Sequence, residues 1–353
     1  MNKKLKIAQI APLWFSTPPE KYGGTERVIS FLTEGLVKKG HKVTLFAPGD
    51  SKTKAKLVSL VKKGVISLGA RWQDYWWNLW NHSVAFEKWK EFDIIHCHWG
   101  IMGVYFQRFI KTPVIHTMHN IPTKQHLRWQ IFKYYKNDLN LVFISKSEKK
   151  NAAVKVKNSW VIYNGIDISE FKFNPKPKDH FIWIARIDKA KGVENAIEIA
   201  KKAKIKLLLA GQIQPHKKIY FEKVVKPKLN SNIRYLGELP KNKLSEFYGQ
   251  AKALLYPIEW EEPFGLVMAE SMACGTPVIA FDRGSVKEVV KDGKTGFVVK
   301  TVEQAVKAIK KIDQIKREDC RKRVENNFTV QKMVDEYEKI YYEILKYQRK
   351  ERV

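Results

Sequence analysis

Short apolar runs alternate with longer amphipathic segments from one end of the chain to the other. In the first half, residues 7–11, 42–47, 93–99, 113–119, 140–145 and 160–163 predict strands. The run Asp93-Ile94-Ile95-His96-Cys97 shows little polar alternation, as expected of a strand buried on both faces of a parallel sheet. The clearest helix spans residues 25–39, where Val28, Ile29, Leu32, Leu36 and Val37 recur at helical spacing before Gly40 ends it. A polar, proline-containing stretch at 173–178 reads as a linker. The alternation then restarts, with strands at 181–187, 206–210, 234–236, 253–257 and 277–281 and helices at 193–202, 241–250, 265–273 and 302–312. A long amphipathic helix at 330–350 carries Met333, Tyr337, Ile340, Tyr341, Ile344 and Leu345. Two βαβ-rich halves imply an α/β protein of two doubly wound domains facing a central cleft.

Composition narrows the picture. A length of 353 residues suits two domains, and 44% hydrophobic residues suffice for ordinary cores. The net charge of +29 invites a nucleic-acid or anionic-membrane reading. The lysines are spread along the whole chain, however, and neither zinc-finger spacing nor an aromatic nucleic-acid signature accompanies them. No nucleic-acid partner is expected. Cys97, Cys274 and Cys320 are odd in number and far apart, so they form no disulfide framework and point to a reducing compartment. The lysine-led start of the chain contains Pro12 and lacks a small-residue cleavage site, so it reads as a first strand rather than a signal peptide. No apolar run approaches the roughly 18 residues of a membrane span. These features predict a cytoplasmic protein.

The densest chemistry lies in Glu262-Pro263-Phe264-Gly265-Leu266-Val267-Met268-Ala269-Glu270, followed by Ser271-Met272-Ala273-Cys274-Gly275-Thr276-Pro277. Pro263 suits the first turn of a helix. The N–H groups of Phe264, Gly265 and Leu266 would then face a phosphate or a sugar hydroxyl at the helix N-terminus. Glu270 could accept from a ribose diol and Glu262 from sugar hydroxyls. A second cluster, Arg186-Ile187-Asp188-Lys189-Ala190-Lys191-Gly192, closes a buried strand. Ligands of open α/β sheets bind at carboxyl ends of strands, where Arg186 could grip a diphosphate and Lys191 add a point charge. Near the start, Tyr22-Gly23-Gly24-Thr25-Glu26-Arg27 lets backbone N–H groups approach a phosphate without being a G-x-G-x-x-G fingerprint. His119 ends the strand at 113–119 and His98 sits similarly at the end of the run 94–98, whereas His116 lies inside its strand as a core residue. The histidines lack the companions of a metal site, and no metal is expected.

Gly23-Gly24, Arg186 with Lys191, Asn164-Gly165-Ile166-Asp167 and the Glu262–Glu270 string together resemble the family 4 glycosyltransferases of the GT-B type, over nearly the whole chain. Seven residues separate the two glutamates, as in that family, and Ala185 stands where the family usually has glycine. The resemblance implies two Rossmann-like domains, here 1–168 on the acceptor side and 169–330 on the donor side, with a C-terminal helix at 331–353 crossing back to the first. It implies retaining transfer of a hexose-type sugar from a nucleotide diphosphate sugar, UDP foremost, without a bound metal or other cofactor. Arg186 and Lys191 would then neutralise the diphosphate, Glu270 bind the ribose and Glu262 the donor sugar. Gly23 or Gly24 would meet a phosphate and His119 lie beside the donor sugar, while Phe264, Gly265, Leu266, Gly211 and Leu239 would line the donor pocket. A glycan, lipid-linked or small-molecule acceptor would complete the reaction. The competing class is a protein of the same fold that binds a nucleotide sugar without turnover, or binds a basic protein's anionic targets, membrane or nucleic acid. The intact set of charged residues favours the enzyme.

On the acceptor side, residues 71–90 hold Trp72, Trp76, Trp77, Trp80 and Trp89, downstream of Lys52, Lys54, Lys56, Lys62 and Lys63. Trp72, Trp76 and Trp80 share one helix face. The favoured expectation is a stripe packed against the sheet. A patch on an anionic membrane at its inner face and a stacking platform for a sugar are the other two readings.

Overall fold

The computed structural model of the chain describes residues 3–20, 23–71, 73–120 and 126–351. It divides into two compact units, the first comprising residues 1–165 and 330–353 and the second residues 166–329. Unit 1 opens with β1 (Lys6–Ile10), α1 (Gly24–Lys38) and β2 (Lys42–Phe46). Gly40 takes a left-handed conformation (φ 88°) just past the end of α1, which stops the helix where the sequence predicts. The short edge strand β3 (Lys56–Val58), α2 (Trp76–Glu87), β4 (Ile94–Cys97), β5 (Val114–Thr117), α3 (Leu127–Tyr135), β6 (Asn140–Phe143) and β7 (Asn158–Val161) follow. All strands are parallel, in the order β3-β2-β1-β4-β5-β6-β7. β4 and β5 are buried along their whole length, which explains their unbroken apolar runs.

Unit 2 repeats the scheme with β8 (Phe181–Ile184), α4 (Val193–Ala203), β9 (Leu207–Ala210), β10 (Ile233–Tyr235), α5 (Lys241–Gln250), β11 (Ala253–Tyr256), α6 (Leu266–Ala273), β12 (Val278–Phe281), β13 (Gly296–Val299), α7 (Val302–Ile309) and α8 (Arg317–Asn327). Its parallel sheet runs β10-β9-β8-β11-β12-β13. The last helix, α9 (Val330–Glu351), belongs to unit 1 and buries Met333, Val334, Tyr337, Ile340, Tyr341 and Ile344 there. Strand order reverses between β1 and β4 in unit 1 and between β8 and β11 in unit 2, and each reversal opens a crevice at the strands' carboxyl ends.

Two expectations are corrected. The stretch 173–178 is no linker but a packed part of unit 2: Asn174 Nδ2 donates to the Gly249 carbonyl at 2.9 Å, and the Arg317 guanidinium donates to the Asn174 carbonyl at 2.6 Å. The tryptophan stripe is not packed inward. Trp76 and Trp80 are 78% and 47% exposed, Trp77 rests partly on Leu13, Trp14 and Val65, and Trp72 and Tyr22 lie outside the described residues. The inward face of α2 carries Asn78, Asn81, His82, Ala85 and Phe86 instead. Asn78 Oδ1 accepts from the Leu13 N–H at 2.9 Å and Asn81 Nδ2 donates to the Ala11 carbonyl at 3.0 Å. Backbone groups just beyond β1 need partners, and two asparagines on one helix face supply them.

Candidate active site

In unit 2 the site grows from the crevice between β8 and β11. The chain leaves β8 at Ile184 and turns through Ala185, Arg186 and Asp188. Gly211, just past β9, packs so closely that a Cβ there would lie 1.7 Å from the Ala185 carbonyl, so only glycine lets the two loops meet. The Gly211 N–H donates to the Gly237 carbonyl at 2.9 Å, and the Gly211 carbonyl accepts from the Tyr235 hydroxyl at 2.6 Å. Leu239 is half-buried before α5. Arg186 Nη1 donates to Gln214 Oε1 at 3.3 Å. Asp188 Oδ1 accepts from the Ala190 N–H at 3.0 Å, which caps the short turn that carries Lys191. Burial works to raise the Asp188 carboxyl, but Lys217 at 2.8 Å, the Ala190 N–H and Arg186 outweigh it and hold it below its ordinary range.

Lys191 and Glu262 meet directly. Lys191 Nζ lies 3.2 Å from Glu262 Oε2, with both side chains largely buried, and 4.1 Å from the Trp260 ring centroid. The Tyr256 hydroxyl, from the end of β11, donates to the same oxygen at 2.6 Å, and Trp260 Nε1 donates to it at 3.0 Å. Burial lowers the Lys191 ammonium below its usual value, the more so with Arg186 near, while Glu262 opposes the fall. Among the described residues these three donors converge on the single oxygen Oε2.

The helix after Glu262 begins later than the sequence suggests. α6 starts at Leu266, with Gly265 as its N-cap at φ 79°, so Pro263 and Phe264 precede it. The 262–264 stretch is held outside the helix by Ser285, whose N–H donates to the Glu262 carbonyl at 2.8 Å and whose hydroxyl donates to the Phe264 carbonyl at 3.0 Å. The N-terminal donors of the helix are therefore those of Leu266 and Val267. The Phe264 side chain is a core group, edge-on to Phe328 with centroids 5.5 Å apart, and only its backbone can line a pocket. Glu270, one turn into α6, is buried and accepts from the Tyr248 hydroxyl at 2.7 Å.

In unit 1, Gly23 is the N-cap of α1 and Gly24 its first residue. Behind them Glu26 is buried, and burial raises its carboxyl to about 7. His119 follows β5, half-buried, and desolvation lowers its imidazole to about 4. His119 Nε2 lies 3.3 Å from His98 Nδ1, and His98 Nε2 lies 2.6 Å from Gln9 Oε1. His116, as expected, is a core residue, paired with Gln107 Oε1 at 3.0 Å. Among the described residues no group of three or more His, Cys, Asp or Glu side chains gathers as metal ligands would.

Residues 166–329 match the family model "Glycosyl transferases group 1", and residues 22–170 match "Glycosyltransferase Family 4". The chain is a family 4-like glycosyltransferase. A glycosyltransferase of Methanocaldococcus jannaschii is 29% identical over 269 residues, covering 71% of this chain and 76% of that one. The fold is GT-B: a sucrose-phosphate synthase from Thermosynechococcus elongatus superimposes with a TM-score of 0.82 at 20% identity, over 97% and 99% of the two chains. An Anabaena protein solved in complex with UDP and glucose superimposes with a TM-score of 0.75 at 16% identity, over 96% and 100%.

In this glycosyltransferase the group 1 match contains Arg186, Lys191, Glu262 and Glu270, and the family 4 match contains Gly23, Gly24 and His119. Sequence reasoning missed Tyr256, Trp260, Gln214 and Tyr248. Tyr256 was within reach, because it closes a strand beside the order reversal. Trp260 sits two residues before Glu262 without a motif of its own. Gln214 and Tyr248 are brought in by loop and helix packing that leaves no local signal.

Proposed function

We propose that this glycosyltransferase is a retaining, metal-independent enzyme that moves a hexose-type sugar from a nucleotide diphosphate sugar, UDP foremost, to a glycan, lipid-linked or small-molecule acceptor. The observation that carries this reading is the cluster of Lys191, Glu262, Trp260 and Tyr256 in the β8/β11 crevice, with Arg186 on the same loop as Lys191. Glycosyl transfer builds positive charge on the sugar and negative charge on the departing diphosphate. Two fixed cations aimed at that diphosphate supply the electrostatic stabilisation a metal gives elsewhere, each worth about 3–4 kcal/mol. Glu262, tied through Oε2, is placed to hold a donor-sugar hydroxyl rather than to attack the anomeric carbon, in keeping with a front-face departure in which the leaving phosphate takes the acceptor's proton. In the same reading Glu270 holds the ribose, Gly23 or Gly24 a phosphate, the 264–266 backbone, Gly211 and Leu239 the nucleotide, and His119 the donor sugar. The Anabaena structure with UDP and glucose supports a uridine nucleotide.

The test is a thermal-shift and donor-cleavage panel of UDP-, GDP- and ADP-sugars. At least one donor stabilises the protein and releases its nucleoside diphosphate, Lys191→Ala lowers release by about 10²–10³-fold, and EDTA leaves it unchanged. Anomeric NMR of the product shows retained configuration. A panel with neither binding nor cleavage overturns the reading in favour of the binding-only class.

The exposure of Trp76 and Trp80 favours one addition, a peripheral contact with the anionic inner face of a membrane by an otherwise cytoplasmic enzyme. Among the described residues no helix is long and apolar enough to cross a membrane.

A further inference from the structure

We propose that Gln9, His98 and Tyr341 are positioning residues that set the ring orientation and tautomer of His119, so that α9 serves the site by hydrogen bonding as well as by packing. The inference rests on the reading that His119 meets the donor sugar.

Two imidazole nitrogens within hydrogen-bond distance share one proton, and the other nitrogen of the inner ring decides which of them carries it. His98 Nε2 faces Gln9 Oε1 at 2.6 Å, an oxygen that can only accept. His98 therefore bears its proton on Nε2 and presents a bare Nδ1. His119, 3.3 Å away, must donate from Nε2, which leaves its own Nδ1 as an acceptor for a sugar hydroxyl. The Gln9 amide is held from its other end, where Nε2 donates to the Tyr341 hydroxyl at 3.1 Å. Tyr341 then donates to His96 Nδ1 at 2.7 Å, His96 Nε2 donates to Thr117 Oγ1 at 2.7 Å, and Thr117 donates to the Tyr337 hydroxyl at 3.0 Å.

Each link has one donor and one acceptor, so turning the Gln9 amide over would reverse every proton in the chain. Gln9, His96, Tyr337 and Tyr341 are at most 1% exposed and His98 is 2% exposed, which closes the interior of the chain to substitution by bulk water. Burial keeps the His96 and His98 imidazoles well below their ordinary value, so the chain works with neutral rings. The side chain that sets the His98 tautomer is an amide, and the other end of that amide is hydrogen-bonded by a helix from the far end of the sequence.

The full-length protein, labelled with ¹⁵N-histidine, reports the tautomers through long-range ¹H–¹⁵N spectra of the ring nitrogens. In the wild type His119 carries its proton on Nε2. Tyr341→Phe and Gln9→Leu shift His119 towards a mixture of tautomers and lower kcat about tenfold with a smaller change in KM, and the double variant is no worse than either single one. Tyr342→Phe, which removes a hydroxyl from the same helix where it bonds the Lys3 carbonyl at 2.8 Å, changes neither readout. A wild-type His119 protonated on Nδ1, or variants that keep both tautomer and kcat, overturns the proposal. The wild-type spectrum stands even where a variant fails to fold. If the wild type cleaves no donor, the functional reading fails, while the spectra still decide the positioning chain.

Discussion

At the end of β8 the structure gathers charge, and at the ends of β4 and β5 it removes it. Lys191 is largely buried yet sits against Glu262, Trp260 and, along its loop, Arg186. A carboxylate and an aromatic face offset its desolvation, so a cation can be held ready inside a crevice. His96, His98 and His119 lie in a comparable degree of enclosure, and no carboxylate appears among the hydrogen-bond partners that link them. There the protein keeps the rings neutral and controls where their protons are. The difference shows two ways of making a buried polar group useful: a charge needs a counter-charge, and a neutral ring needs a direction.

The largest break in this comparison comes from Lys191→Ala. It removes the buried cation and is expected to lower kcat/KM by about 10²–10³-fold, measured as nucleoside diphosphate release under saturating and limiting donor. Glu262→Gln comes next. Without its main counter-charge Lys191 keeps burial and Arg186, which lower its pKa, against Asp188, which raises it, so the high-pH limb of the activity profile moves to lower pH and turnover falls about 10–100-fold. An unmoved limb would uncouple the pair.

The histidine side is probed by pH. Burial lowers His82 and His119 to about 4 and His116 to about 3, and His96 and His98 also lie well below 6.5. The unfolded chain takes up protons first as pH falls, so stability is full above pH 6.5 and declines from there towards pH 4. A fully buried ring such as His82 contributes about 3 kcal/mol at most to that decline. Glu26, raised to about 7, acts with opposite sign and loses its contribution as pH rises through 7, which blunts the trend without reversing it. Urea melts at pH 7, 6, 5 and 4.5 follow the decline. The smallest effect on the fold belongs to Trp76→Ser with Trp80→Ser. Both side chains are exposed, so stability changes by about 0.5 kcal/mol or less while binding to anionic vesicles in flotation is lost.

Much of the fold was legible from the order of apolar runs. Each strand predicted for unit 1 overlaps an observed one, and α5 has its predicted bounds. β3 and β13, short strands at sheet edges, were not predicted. The tryptophan stripe was misjudged because helical spacing shows which residues share a face and not which face turns inward. Asn78 and Asn81 decided that by serving backbone groups beyond β1. The candidate site was legible where a motif crowds its residues together, as in Arg186 to Lys191 and Glu262 to Glu270. It was illegible where partners arrive from distant segments, as Tyr248 and Gln214 do.

The sequence by itself determined the α/β alternation, the two-part organisation, the strand ends that carry Arg186, His98 and His119, and the glutamate string that marks a glycosyltransferase. Those are properties of local periodicity and of short motifs, which need no knowledge of neighbours. Tertiary structure alone decided that Glu262 receives Lys191, Tyr256 and Trp260 on one oxygen, that α6 starts at Leu266, and that Tyr341 reaches Gln9 across 332 positions of sequence. A hydrogen bond depends on where atoms lie to within a few tenths of an ångström, and only the packed fold sets those positions.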